Sequence, residues 1–175
     1  AKLIYVDMGK VSEYASWAKS LGYVEVTDLE LEGASYEAAE RQYLQNNSKE
    51  AIAAFEKYLK DFPNGLRRTN AEFYLGQLYF NSGQKAKALT HYENVSKSGS
   101  SEYGEQALTR VCQILLDAGS YLKAKPYLEE LEKTATIAQN KTYAQSNLMR
   151  VCYNEKLYDK AIAVSYTHLR AHETV

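Results

Sequence analysis

Apolar and polar residues follow the period of an amphipathic helix along much of this chain. In the clearest stretch, Ala51, Phe55, Tyr58 and Leu59 stand at positions i, i+4, i+7 and i+8, so they share one side of a helix. Stretches before and after it carry the same apolar stripe, interrupted at regular intervals by turn-forming residues. The pattern therefore predicts a succession of helices, each with one apolar side.

The stripes repeat in a fixed register. Ala51, Ala88, Ala124 and Ala161 follow one another at intervals of 37, 36 and 37 residues. A residue that tolerates the left-handed backbone precedes each of the first three alanines by five positions, namely Asn46, Gly83 and Gly119. Such a period predicts helical hairpins that stack on one another.

Small residues recur where two helices of a hairpin must approach closely. They lie midway along the first helix of each unit, at Ala39, Gly76 and Cys112, and large apolar residues surround them. A bulky side chain there would force the hairpin open, at an overpacking cost of roughly 1–3 kcal/mol. Pro63 is predicted to close a second helix, because proline cannot continue one.

These residues resemble the tetratricopeptide repeat, and the best unit reads Leu75-Gly76, Tyr79, Gly83, Ala88, Tyr92. The resemblance implies an all-α fold, a right-handed α-α superhelix of stacked antiparallel helix pairs. Departures from the motif are Cys112 in place of glycine, Pro126 inside a second helix, and a single closing proline. The phrase from Ala51 to Gly65, continued by Ala71 to Gly76, is similar to bacterial envelope repeat proteins, namely the periplasmic protein of the Tol–Pal system and the lipoprotein of the outer-membrane assembly machine.

The register divides the chain into successive segments. We expect a partial leading hairpin at 1–21, a linker at 22–34, repeat units at 35–65, 66–101 and 102–138, and a truncated unit at 139–163. Thr27-Asp28-Leu29-Glu30 has the spacing of a capping box, so a helix is predicted to restart near Thr27 within the linker.

Residues 164–175 break the pattern. The run from Val164 to Thr174 resembles the forward translation of a transposase-type sequencing adapter, and Ser165 and His168 stand where the register demands apolar residues. We interpret this tail as an artefact fused to a truncated gene. His168, His172 and Glu173 have a spacing suited to zinc, but the adapter interpretation removes that motif from the protein.

Composition excludes several classes of protein. The 175 residues are 45% hydrophobic and 25% charged, as in a folded globular chain. A net charge of −1 lacks the basic surplus of nucleic-acid binders, so no nucleic-acid partner is expected. The sequence contains no run of about 18 apolar residues, so no membrane span is predicted. The chain starts at Ala1 with no leader pattern, which we interpret as an internal fragment.

The remaining chemistry is sparse. His91 is interpreted as a lone, partly packed histidine, and Cys112 and Cys152 as small apolar residues on the inner sides of first helices. We found no nucleophile held by a base, no phosphate loop and no paired metal ligands. The sequence therefore predicts no catalytic, cofactor-binding or metal-binding residues, and a protein that is not an enzyme.

The resemblance implies a groove lined by the first helices, in which a protein or peptide partner binds. Candidate groove residues are those predicted to point away from the second helices: Tyr36, Glu40, Tyr43, Phe73, Gln77, Phe80, Gln113, Arg150 and Tyr153. Tyrosine and arginine are common binding anchors. The alternative for each aromatic residue is packing between neighbouring repeats.

Three functions stay open at this stage. The first is a protein-binding scaffold within a longer bacterial envelope protein, with a periplasmic or outer-membrane location favoured over a cytoplasmic one. The second is the non-catalytic arm of a larger enzyme or regulator. The third is a purely structural or oligomer-forming array.

Overall fold

The computed structural model describes residues 17–18, 20–22, 28–98 and 103–172, and α-helices dominate this part of the chain. Seven helices have described bounds: α1 Asp28–Leu44, α2 Ser48–Asp61, α3 Arg68–Asn81, α4 Lys85–Lys97, α5 Gly104–Asp117, α6 Tyr121–Thr134 and α7 Ala138–His172. No strand occurs within those ranges. The predicted all-α helical-repeat fold is confirmed. None of the described helices is long and apolar enough to cross a membrane.

The chain forms two compact units that divide between Ala107 and Leu108. In the first unit α1 packs on α2, α3 packs on α4, and α2 also packs on α3. Between Asp28 and Lys97, the first unit therefore consists of two helical hairpins in succession. In the second unit α6 packs on α7.

The three predicted turn residues are confirmed. Asn46, Gly83 and Gly119 have φ angles of 59°, 77° and 68°, in the left-handed region. At Gly83 the turn is closed by a bond from the Gln84 N–H to the Tyr79 carbonyl, at 2.9 Å. Equivalent bonds close the turns at Asn46 and Gly119. This bond from the third residue past the helix satisfies a carbonyl that the helix end leaves unpaired.

Close approach at the small residues is also confirmed. A Cβ atom built on Gly76 would lie 2.8 Å and 2.9 Å from two ring carbons of Tyr92, which is 1% exposed on α4. Ala39 and Cys112, at the equivalent positions, are fully buried. Each is a point where a first helix leaves room only for a small side chain.

Residues 28–34 of the segment expected as a linker are helical, because α1 begins at Asp28. The helical restart near Thr27 is confirmed to within a residue. The physical reason lies at Glu32, which is 4% exposed and accepts hydrogen bonds from the Tyr58 hydroxyl at 2.5 Å and the Arg67 backbone N–H at 3.1 Å. These bonds hold the start of α1 against the end of its own hairpin. The expected leading hairpin at 1–21 falls almost wholly outside the described residues.

The segment expected as a truncated unit, 139–163, contains no turn, because α7 runs without a break from Ala138 to His172. The turn position, held by Asn46, Gly83 and Gly119 in earlier units, is occupied here by Lys156. Lysine gains nothing from a left-handed backbone and has a high helix propensity, so nothing ends the helix there. Pro126 lies inside α6 as predicted.

The continuous α7 leaves uncovered a side of the helix that earlier hairpins bury. Met149 stands at the position equivalent to Gly76 and Cys112, yet it is 68% exposed. Cys152 is exposed as well, so its predicted place on a packed inner face is wrong, whereas the burial of Cys112 is confirmed. The reason is the same for both α7 residues: no second helix folds back over them.

Candidate functional site

The candidate site lies on one side of the first helices in the first unit. Glu40 and Tyr43 belong to α1, Tyr74 and Gln77 to α3, and Tyr103 directly precedes α5. All five side chains are half-buried. We call these five residues the tyrosine face.

Two predicted residues meet directly on this face. The Tyr43 hydroxyl donates a hydrogen bond of 2.7 Å to Gln77 Oε1, which joins α1 to α3. The Tyr43 ring also lies against the Tyr74 ring, with centroids 4.6 Å apart. The face is therefore a continuous surface across both helices.

Tyr74 is the centre of an aromatic cluster beneath and beside the face. Its ring lies 5.6 Å from Phe55, stacked, and 6.1 Å from Tyr103. Tyr103 stacks in turn on Phe73 at 4.3 Å. Offset and edge-on ring pairs of this kind each add to the energy of simple burial, so the cluster gives the face a rigid base.

The phenol groups of this cluster stay uncharged. Burial, together with the hydrogen bond to Tyr103, raises the pKa of Tyr74 above its ordinary value. Burial and the neighbouring Glu40 charge raise the pKa of Tyr36 in the same direction. Tyrosine hydroxyls that keep their protons can donate hydrogen bonds, and here the Tyr36 hydroxyl donates one of 3.3 Å to Glu40 Oε1.

Two predicted groove residues are core residues. Tyr36 is 4% exposed and its ring contacts Phe55 and Tyr58 of α2; Phe73 is 3% exposed and contacts Tyr92 of α4. Both rings therefore pack against the second helix of their own hairpin, and neither points outward as an exposed anchor. Phe80, by contrast, is half-buried on α3.

The other predicted residues belong to the second unit. Gln113 on α5 accepts a 2.7 Å hydrogen bond from the Arg110 guanidinium. Arg150 on α7 lies over the Tyr121 ring, 5.6 Å from its centroid, and Tyr153 is 63% exposed. A cleft of about 700 Å³ lies between the start of α6 and the stretch of α7 from Val151 to Asp159.

The sequence reasoning missed Tyr74 and Tyr103. Tyr74 directly follows Phe73, so a count of i, i+4 and i+7 from Phe73 passes over it. Tyr103 precedes its helix and so has no helical periodicity to mark it. The chain contains 16 tyrosines, but their number alone does not show which of them lie on a binding surface.

A buried polar cluster lies at the packing surface of α3 and α4. Glu72 is 3% exposed and meets His91 Nδ1 at 2.6 Å, Asn94 at 3.2 Å and Arg68 at 3.1 Å. Since an ionised carboxylate only accepts hydrogen bonds, we assign the proton to His91 Nδ1. His91 is partly packed as predicted, and its ring also stacks on Tyr79, whose hydroxyl donates to Glu56.

Opposing effects set the pKa of Glu72. Burial alone would raise it, but the hydrogen bonds from His91 and Asn94 and the nearby charges of His91 and Arg68 outweigh burial. The pKa of Glu72 therefore lies below its usual 4.5. The cluster holds two helices together, and no nucleophile or further base joins it within the described residues.

Acidification is expected to weaken the fold through Glu72. The pKa of Glu72 is lower in the folded state than its ordinary value of 4.5. Its contribution to stability is therefore complete above pH 4.5 and is lost as the pH falls through the pKa of the folded state. Urea unfolding across this range should show a steeper loss for the wild type than for Glu72→Gln, which cannot titrate. Glu50→Gln, at an exposed site on α2, should keep the wild-type slope; equal slopes in all three proteins would contradict the prediction.

No three His, Cys, Asp or Glu side chains in the described ranges converge as metal ligands would. The fold and this surface define an all-α helical-repeat protein. Its residues 34–65 and 70–98, which span α1 to α4, match the family model of the tetratricopeptide repeat. The first unit thus carries two repeats of this kind, which generally mediate protein–protein interaction and typically act as non-catalytic scaffolds.

Solved structures agree with this fold. Two crystal structures, one of them of a variant, show a Podosopora anserina protein described as a kinesin light chain with nearly identical TPR-like repeats. Each has 14% sequence identity to this chain, a TM-score of 0.53, and covers 95% of it, with 88% and 89% of their own chains aligned. At this identity the likeness concerns the fold alone. Among curated proteins, none matches the sequence significantly.

Proposed function

We propose that this chain is a protein-interaction scaffold that binds a peptide or protein segment on the tyrosine face. The observation that carries the proposal is the set of five half-buried aromatic and polar side chains, four on α1 and α3 and the fifth, Tyr103, directly before α5. Phe55 and Phe73 contact this set from the core. Tyrosine side chains that are rigid and partly exposed to solvent provide contact area with a small loss of conformational entropy on binding. Amide and hydroxyl groups between them can pair with an extended backbone.

Peptides selected from a random displayed library against the full chain test this proposal. Tyr43→Ala should weaken binding of the selected peptides by roughly tenfold or more, since interface tyrosines are frequent hot spots. Tyr143→Ala is the matched control, because Tyr143 is also a half-buried tyrosine but lies in the second unit. Equal affinities for both variants and the wild type would overturn the assignment of the face.

We further infer that the array continues beyond this face. Units at 35–65, 66–101 and 102–138, with Gln113, Arg150 and Tyr153 as further groove residues, fit the register of the small residues. The lack of a basic surplus argues against nucleic acid as a partner. Alanine substitutions at Arg150 and Tyr153 test this assignment, because selected peptides that contact these two residues of the second unit should lose affinity for both variants.

The parent protein is proposed to be a longer bacterial envelope protein, truncated at residue 163 and followed by adapter-derived residues. The envelope-like phrase from Ala51 to Gly76 supports the first part, and the translated adapter supports the second. The alternative is the non-catalytic arm of a larger enzyme or regulator. The nucleotide sequence of the parent gene tests both proposals. A signal peptide and further repeats upstream would favour the envelope protein, and a catalytic domain would favour the alternative. Codons that differ from the adapter would refute the proposal that the tail is an artefact.

A further inference from the structure

We propose that Glu40 and the tyrosines around it form a cation-binding subsite that receives a lysine or arginine side chain of the partner segment. The inference rests on the proposed function and names the chemistry of the partner: a basic peptide.

Glu40 is a half-buried carboxylate of the tyrosine face. It lies on α1, and its Oε1 accepts a hydrogen bond from the Tyr36 hydroxyl. No lysine or arginine of the described residues forms an ion pair with it. Other carboxylates do have cationic partners, as Glu72 has Arg68 and Asp61 has Lys57. A half-buried carboxylate without a counter-charge has a strong preference for a cationic ligand.

The surroundings of Glu40 suit a cation. The Tyr36 hydroxyl lies 3.3 Å from Glu40 Oε1, and Tyr43 stands three residues after Glu40 on the same side of α1. Tyr43 and Tyr103 flank Tyr74 at 4.6 Å and 6.1 Å. Aromatic faces beside a carboxylate attract ammonium and guanidinium groups through the ring quadrupole.

The protein itself places a guanidinium on this cluster. Arg67 lies over the Tyr36 ring, 5.6 Å from the centroid, although it does not pair with Glu40. The Tyr36 ring is therefore compatible with a packed cation. Glu40 Oε1 is hydrogen-bonded to the Tyr36 hydroxyl, which leaves Oε2 for a second cation.

Other classes of ligand fit less well. A carboxylate or phosphate would be repelled by Glu40 and would find no lysine or arginine among the five residues of the face. An apolar segment would remove water from Glu40 without replacing its hydrogen bonds, which is costly for a charged group. A basic segment supplies both the charge and the donors.

Three blocked hexapeptides of glycine and serine test the proposal, carrying two arginines, two citrullines or two glutamates. Citrulline keeps the shape of arginine and lacks its charge. Each is titrated into the full chain and followed by backbone amide shifts in heteronuclear NMR. The arginine peptide should shift the amides of Glu40, Tyr43, Tyr74 and Gln77, and should bind roughly tenfold or more tightly than the citrulline peptide.

Two variants with the same change in net charge separate specific from general attraction. Glu40→Gln should bring the arginine peptide down to the affinity of the citrulline peptide, while Glu50→Gln, exposed on α2, should retain wild-type affinity. Added salt should weaken the arginine peptide alone.

The outcomes are distinguishable. Equal binding of the arginine and citrulline peptides at the face would overturn the cation subsite and leave the peptide-binding function standing. Equal loss in Glu40→Gln and Glu50→Gln would overturn the subsite too, since it would mean general attraction to an acidic surface. Shifts confined to residues outside the face would overturn both proposals.

Discussion

Phe55→Ala is expected to lower the free energy of unfolding by about 3–5 kcal/mol, the usual cost of emptying a buried phenylalanine site. Phe55 is 0% exposed and packs between Tyr36 at 5.9 Å and Tyr74 at 5.6 Å. Aromatic neighbours on two sides are rigid and cannot collapse into the cavity. Urea unfolding followed by circular dichroism measures the loss.

The same substitution is expected to weaken peptide binding at a temperature where the variant is still folded, because Tyr74 loses the ring that supports it. Leu44→Ala is the control, since Leu44 is 71% exposed and should change stability by no more than about 0.5 kcal/mol. Comparable small losses in the two variants would show that the aromatic cluster is not the core of this unit.

Gly76→Ala and Gly33→Ala are expected to change stability in opposite directions. Alanine normally stabilises a helix by about 1 kcal/mol relative to glycine. At Gly76 the new methyl group would lie 2.8 Å from the buried Tyr92 ring, so overpacking of roughly 1–3 kcal/mol should outweigh that gain. At Gly33 the nearest atom is Arg67 Nη1 at 3.4 Å, an ordinary contact, so the gain should remain.

The expected result is a net loss of about 1–2 kcal/mol for Gly76→Ala and a gain of about 0.5–1 kcal/mol for Gly33→Ala. Both are helical glycines of the first unit, which makes them a matched pair for chemical unfolding. A gain in both variants would mean that Tyr92 moves aside at little cost. Gly76 would then not be a packing requirement of the hairpin.

Local features of the sequence predicted the hairpins because their causes are local. Gly83 and Gly119 ease a left-handed turn that other residues adopt only with strain, and Gly76 leaves room for one particular ring. A local cause also explains why no hairpin forms in the last segment. The period places residue 156 at the position of the earlier turns, but the residue there is lysine, and α7 continues through it.

The site was less predictable because it depends on what lies opposite each side chain. Tyr43 and Gln77 were placed on one surface correctly, since equivalent positions on successive first helices face the same way. Tyr36 and Phe73 share that side of their helices, yet Phe55 and Tyr92 cover them. A helical period predicts on which side of the helix a side chain lies, but it does not predict how deeply that side chain is buried.

The uncovered side of α7 has a practical consequence for spectroscopy. Cys152 is exposed, whereas Cys112 is buried in a setting where burial raises the pKa of its thiol to about 12, so it has almost no reactive thiolate. The unaltered chain therefore has one thiol that a maleimide dye or a nitroxide would find at neutral pH. A form with a single fluorescent or spin label can therefore be prepared without any substitution. The label would lie near Met149 and Tyr153 in the sequence, and its signal would change when another segment or molecule binds the exposed side of α7.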